Sequence, residues 1–198
     1  KHADTRDTPA AVVIVGGGAA GFSAANTLRR EGYDGPVTIL SADDFPPCEL
    51  NRVERGGFYG WPVANGDRVP DPDHGKGQEA RIAASIPPVH GFRAHNAPLG
   101  MTFLRGAGVP TEYRGAAVVA LHGSWNRTRK DGYEVVSLHW GPDGRVTERE
   151  FLSGFLGPSD DDLIGRPVDV AEGPDGSVYV SDDYAGSVYR VSWGVGRE

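Results

Sequence analysis

Val168-Asp169-Val170-Ala171-Glu172-Gly173-Pro174-Asp175-Gly176-Ser177-Val178-Tyr179-Val180-Ser181-Asp182-Asp183-Tyr184-Ala185-Gly186-Ser187-Val188-Tyr189-Arg190-Val191 is the stretch that decides the fold. It holds three short β-rich runs, at 168–171, 178–181 and 188–192, punctuated by Asp175-Gly176 and Ala185-Gly186. Asp-Gly between runs of alternating apolar residues is a hairpin signal, because tight turns need positive φ and glycine supplies it without steric cost. Upstream, 133–140 and 146–151 pair in the same way across Pro142-Asp143-Gly144. The tetrapeptide Gly141-Pro142-Asp143-Gly144 recurs as Gly173-Pro174-Asp175-Gly176. A recurring turn between short antiparallel strands predicts a meander or blade repeat. Composition agrees: 29 glycines and 15 prolines in 198 residues require many turns, hence short strands and not long helices.

Charge and length narrow the function classes. The formal net charge is -7, which disfavours binding to nucleic-acid phosphates. No apolar run approaches the ~18 residues of a membrane span. Cys48 is the single cysteine, so no internal disulfide forms. The opening Lys1-His2-Ala3-Asp4-Thr5-Arg6 has no methionine and no apolar core, so no signal peptide is expected there.

The first segment has a different grammar. An apolar run at 11–15 is followed at once by Gly16-Gly17-Gly18-Ala19-Ala20-Gly21, which satisfies G-x-G-x-x-G. Residues 22–31 have helical spacing, Gly32 closes that helix, and 37–40 forms a second apolar strand. Strand, glycine turn, helix, strand is a short Rossmann-like β-α-β unit. Gly16 permits the tight turn, Gly18 lets the backbone approach a pyrophosphate, and Gly21 lets helix and strand pack closely. The helix N-terminus then offers N–H groups to phosphate. A glycine-rich turn that packs the helix with no ligand is the plainer alternative. Residues 12–47 resemble FAD-dependent ferredoxin and rubredoxin reductase-type enzymes. That resemblance implies FAD as a cofactor by origin. It ends at Pro46-Pro47-Cys48, where the Arg-Pro-x-Leu-Ser-Lys motif of those enzymes is absent, so tight FAD binding is not expected.

From Glu49 onward the chain carries Tyr59-Gly60-Trp61-Pro62, His122-Gly123-Ser124-Trp125-Asn126-Arg127, Gly165-Arg166-Pro167-Val168-Asp169-Val170 and a terminal Ser181-Asp182-Asp183-Tyr184-Ala185-Gly186-Ser187-Val188-Tyr189-Arg190-Val191. In that order these motifs resemble the soluble glucose/sorbosone dehydrogenase family across 49–193. The resemblance implies a mainly β fold: about three blades, the C-terminal half, of a six-bladed β-propeller. Two domains are expected, 1–48 and 49–198. The resemblance further implies pyrroloquinoline quinone (PQQ) with calcium as cofactor and a small-molecule sugar as substrate. It implies a periplasmic location, whereas the first segment alone implies a cytoplasmic one. Cationic donors, arginine above all, suit the carboxylates of such a quinone.

Carried over residue by residue, the resemblance puts Arg166 at a quinone-carboxylate contact. A second arginine of the family is unmatched, since Val168 stands there. His122 and Arg127 fall in the loop that holds another cationic contact. The family's catalytic histidine and calcium-binding turn belong to stretches before Glu49 that the reductase-like segment replaces, so no catalytic or metal residue is assigned and the 198-residue chain by itself is expected to be an incomplete or inactive oxidoreductase, with a non-catalytic sugar- or quinone-binding module and a fragment of an FAD-dependent NAD(P)H reductase as the alternatives. Each assignment has a plainer alternative. Arg166 anchors a loop to a neighbouring carboxylate, and His122 satisfies backbone groups beside Gly-Ser. Ser124 lacks a Gly-x-Ser-x-Gly elbow. Asp160-Asp161-Asp162 lacks the glycine spacing of a calcium loop and fits a solvated turn. Residues 63–77 are expected to form a long polar loop, and Tyr59 and Trp61 to pack the turn at Pro62. The two parallel strands of the first segment are expected to lack flanking strands. Open β edges should therefore promote self-association.

Overall fold

The computed structural model describes residues 12–15, 27–28, 31–35, 37–41, 48–124, 127–159 and 162–194. Gly16, Gly18 and Gly21, with most of the expected helix, lie outside the described residues, as do Trp125, Asn126, Asp160 and Asp161. The protein is mainly β, and its chain forms two compact units, Lys1–Ala94 and His95–Glu198.

In the first unit, β1 (Val12–Val15) pairs in parallel with β2 (Val37–Ser41), Val12 opposite Val37. Parallel neighbours require a crossover connection, as the strand–turn–helix–strand spacing anticipates. The expectation that these strands stand unflanked is corrected for β2, while β1 ends the sheet. β3 (Glu49–Val53) pairs antiparallel with β2, Leu40 opposite Leu50, and β6 (His90–Gly91) pairs with β3. The motif boundary at Glu49 hid this strand, because Asn51, a buried polar residue, breaks its apolar alternation. The expected loop at 63–77 contains a small hairpin of β4 (Ala64–Asn65) and β5 (Val69–Pro70), and α1 (Glu79–Ala83) follows it. Val63, Ala64 and Ile82 form a small apolar cluster there. Tyr59 is buried with Tyr33, Val37 and Val53, and its hydroxyl donates to the Arg52 carbonyl at 2.9 Å, so it packs the first sheet. Trp61 is 53% exposed.

The second unit contains two consecutive meanders. β7 (Pro98–Phe103), β8 (Ala117–Leu121), β9 (Glu134–Trp140) and β10 (Val146–Leu152) form one antiparallel sheet in the order β10-β9-β8-β7. β11 (Pro167–Glu172), β12 (Val178–Asp182) and β13 (Ser187–Val191) form the other. Every residue of β8 is buried, as its unbroken apolar run Ala-Val-Val-Ala-Leu requires of a strand covered on both faces. β10, an edge strand, exposes Thr147, Arg149 and Glu150. β11 packs against β7 and β8. Gly100 permits this approach, since a Cβ there would lie 2.4 Å from the Asp169 Cα. Leu104, Val118, Val135, Val170, Val178 and Val180 belong to one apolar core drawn from both sheets. Burying each such side chain contributes about 1.5–3 kcal/mol, which holds the two sheets, and the loops at their ends, in fixed relation.

Candidate functional site

The chain leaves β8 at Leu121 into His122-Gly123-Ser124. The N–H of His122 donates to the Ala97 carbonyl and that of Gly123 to the Asn96 carbonyl, both at 3.0 Å. On the opposite edge of the same segment, the Arg166 guanidinium donates from Nε to the His122 carbonyl at 3.1 Å and from Nη2 to the Gly123 carbonyl at 3.0 Å. Arg166 also lies over the Tyr133 ring, 5.6 Å from its centroid. The Tyr133 hydroxyl donates to the Ser124 carbonyl. A loop leaving one sheet is thus bracketed by a side chain from the start of the other.

Arg166 and His122, singled out from sequence alone, are brought together. Arg166 anchors a loop, but through main-chain carbonyls and not the carboxylate of its plainer reading, using two of its five N–H donors on them among the described residues. The His122 ring does not turn to its own backbone: Nε2 lies 3.0 Å from Asp183 Oδ1. Arg127 is more exposed and pairs with Asp131, Nη1 to Oδ2 at 2.7 Å, four residues along the same loop. Ser124 is buried, and its Oγ accepts the Asp131 N–H, so it is not paired with the His122 ring as a hydrolase would require. Asp162 lies in a turn, its N–H donating to the Ser159 carbonyl.

Two further aspartates shape the site. Asp182 ends β12, is 3% exposed, and accepts the N–H groups of Arg166, Tyr184 and Ala185 on Oδ1 and the Tyr189 hydroxyl on Oδ2. Burial pushes its pKa up, but the donors from Ala185, Arg166, Tyr189 and Tyr184 outweigh that and hold it below the ordinary carboxylate value. Burial, with the bond to Asp182, raises the Tyr189 phenol. Asp183, the next residue, is the partner of His122. Both aspartates stand in the terminal motif, but only the register of β11 against β12 shows what they touch.

Asn96 had no signal in the sequence. It is 1% exposed, and neither end of its side-chain amide has a hydrogen-bond partner. Its neighbours His95 and Ala97 have φ of 68° and 49°, a conformation uncommon for residues with a Cβ. Gly123 and Tyr133 also have positive φ, 97° and 60°. Backbone held this way collects where a loop is over-determined by its surroundings, as at ligand sites.

Comparison with known proteins bears on the family and the fold. A family model described as TrAA12-like matches residues 64–194. An uncharacterized protein of Borreliella burgdorferi is 36% identical over 153 residues, covering 75% of this chain and 40% of its own length. A pyrroloquinoline quinone-dependent pyranose dehydrogenase of Coprinopsis cinerea is 31% identical over 166 residues, covering 74% of this chain and 22% of its own. The calcium structure of a Trichoderma reesei carbohydrate-active enzyme of family AA12 superposes with a TM-score of 0.56 at 24% identity, over 74% of this chain and 43% of that one, and so shares its fold. The chain therefore spans less than half the length of the proteins it matches, and it resembles PQQ-dependent sugar dehydrogenase domains. Because the family match takes in well over half of its residues, the chain belongs to the TrAA12-like family.

Proposed function

We propose that this chain is the part of a PQQ-dependent sugar dehydrogenase that holds the carboxylates of the quinone, with Arg166 and His122 as its contacts and Arg127 at the outer rim. The observation that carries the proposal is the bracket between Arg166 and the His122–Gly123 carbonyls, which fixes a guanidinium half-buried at the mouth of a loop. A planar tricarboxylate needs a cation whose direction is set beforehand, because flexible side chains lose affinity when they are ordered on binding. Arg166 meets that need, and its planar fork suits a carboxylate better than lysine would. The donor set therefore fits the group at Arg166. The His122 imidazole, with Nε2 toward Asp183, is oriented in the same loop.

When bound, the quinone supplies the two-electron acceptor for oxidation of a sugar hydroxyl. The chain's own residues bind and orient: Arg166 neutralises carboxylate charge, and the buried main chain around Gly123 and Tyr133 keeps that guanidinium from moving. Calcium is expected by resemblance alone, and the backbone turn that would hold it belongs to a stretch that the segment before Glu49 replaces, so no residue of this chain is assigned to it. Among the described residues no group of three or more His, Cys, Asp or Glu side chains could hold a metal ion. The blades are those of a six-bladed propeller, about three of them, in a domain at 49–198. Residues 1–48 we interpret as a reductase-derived unit. The parallel pairing of β1 and β2 supports that origin. Gly16, Gly18 and Gly21 would face a dinucleotide pyrophosphate, yet too little surface accompanies them to retain FAD tightly. Absence of stoichiometric flavin in the purified protein is the expected result, and a yellow protein with one FAD per chain overturns it.

The test of the main proposal is calorimetric titration with PQQ in calcium chloride. Saturable binding at one site per chain is expected. Heats no different from a buffer blank overturn it.

A further inference from the structure

We propose that Asp182 is the positioning residue of this site, setting the main chain of Arg166 and the turn that presents Asp183 to His122, an inference that rests on the reading of Arg166 as a carboxylate contact. An aspartate that only shapes its own turn accepts N–H groups two and three residues ahead. Asp182 does this with Tyr184 at 2.9 Å and Ala185 at 2.9 Å. It also accepts the N–H of Arg166, sixteen residues back, at 3.0 Å. That third bond is not turn chemistry.

The sheet explains why the bond is needed. Pro167 lies opposite Asp182 and has no N–H to give to a ladder, and the register shifts between Pro167 and Asp169. Ordinary strand pairing therefore weakens just where Arg166 must be aimed, and the Asp182 carboxylate replaces it. Gly165 leaves the room: a Cβ there would fall 2.1 Å from Asp182 Oδ2. The first residue of the same turn, Asp183, meets His122 Nε2 at 3.0 Å. One buried carboxylate thus fixes two of the residues assigned to the ligand, Arg166 through its N–H and His122 through the neighbouring aspartate.

Charge and position predict opposite signs. A negative charge beside an anion site opposes binding, so removing it should strengthen binding if charge were the whole of its role. If Asp182 positions Arg166, removing it should weaken binding.

The experiment uses the full chain, PQQ with calcium chloride as probe, and two readouts: the dissociation constant, and exchange of the Arg166 Nε–H with solvent by nitrogen-15 NMR. Asp182→Ala should raise the dissociation constant about tenfold, the scale of one lost hydrogen bond to a charged group, and speed the Nε–H exchange by a similar factor. Gly165→Ala keeps the charge but displaces the carboxylate. It should act in the same direction, and it decides the matter if Asp182→Ala does not fold. Tyr189→Phe removes a bond on Oδ2 alone and should change both readouts by less than about twofold. Unchanged or tighter PQQ binding in both Asp182→Ala and Gly165→Ala overturns the inference. If the wild-type protein binds no PQQ, the quinone reading falls, and the exchange readout still decides: Nε–H protection retained in both variants overturns the positioning role as well.

Discussion

At the residue scale, Arg166 has a structural role that its hydrogen bonds show and a ligand role that is proposed. It anchors a loop through two N–H groups, and its fork has further donors for a ligand. Arg145 gives the contrast. It lies by a hairpin turn, 86% exposed, with Asp143 at 3.9 Å, a surface pair worth about 0–1 kcal/mol. Arg166→Ala should weaken PQQ binding at least about tenfold more than Arg145→Ala, as expected for loss of a charge-assisted bond. Equal effects on the titrated affinity remove Arg166 from the site. A second prediction concerns acid. Asp175 accepts the Arg190 guanidinium at 2.6 Å and also bonds the Ser177 N–H and hydroxyl, and the Arg190 bond chiefly holds its pKa at about 2 in place of 3.8. A carboxyl with a depressed folded pKa stabilises the fold above its unfolded value and ceases to do so as pH falls through the folded one. The contribution of the β11–β12 turn should therefore be intact above about pH 4 and lost as pH falls toward 2. A carboxyl carbon-13 titration of Asp175 with a midpoint near 3.8 contradicts this. Arg166 and His122 were legible as types in a motif. The partners Asp182, Asp183 and Asn96 were not, because each depends on which strand lies opposite, and residue spacing does not encode that.

At the element scale, what was legible is what local chemistry dictates. The hairpins β9–β10, β11–β12 and β12–β13 fall at Asp143-Gly144, Asp175-Gly176 and Ala185-Gly186, where the turn residues demanded them. β8 was legible as an apolar run. β3, β4, β5 and α1 were not: β4 and β5 are two residues each, and β3 is held by pairing with β2 and not by its own pattern. β9 should show the energetics of a buried strand. Leu138 on β9 is 0% exposed, so Leu138→Ala should destabilise by about 2–5 kcal/mol in chemical denaturation. A change under about 1 kcal/mol, typical of surface sites, shows that β9 is not packed as described. Gly123→Ala tests the loop instead. With φ at 97° and a would-be Cβ 2.5 Å from the Tyr133 ring, alanine must displace the ring, so a lower melting temperature should accompany weaker PQQ binding.

At the scale of the whole molecule, the sheets raise the question of their edges. A propeller protects its strand edges by closing its ring, the last blade meeting the first. Among the described residues, β1 and β6 end one sheet, β10 and β7 a second, and β11 and β13 a third. The sheet from β11 to β13 has three strands where a propeller blade has four. Its outer strand β13 leaves Val188 68% exposed, with Tyr184 at 57% on the preceding turn and Ile164 at 55% just before β11. Strand edges with apolar side chains beside them template pairing with other chains. Pairing of β2 with β3 removes one of the edges expected from sequence, and β10 and β13 are the longer strands left at an edge with apolar side chains nearby. Opposing it is a net charge of -7, which repels like chains but cannot satisfy edge N–H and C=O groups. The two effects differ in range. Repulsion between exposed charges is screened within about 10 Å at 0.1 M salt, whereas edge hydrogen bonds act at contact. The 198-residue chain alone should therefore self-associate, and more at 0.3 M salt than at about 0.01 M, where the screening length is about 30 Å. Size-exclusion chromatography with light scattering at both salt concentrations measures this. A monodisperse monomer at both, with a sharp cooperative melt and strong near-ultraviolet tryptophan signals, would show that the edges of β10 and β13 are already closed within one chain.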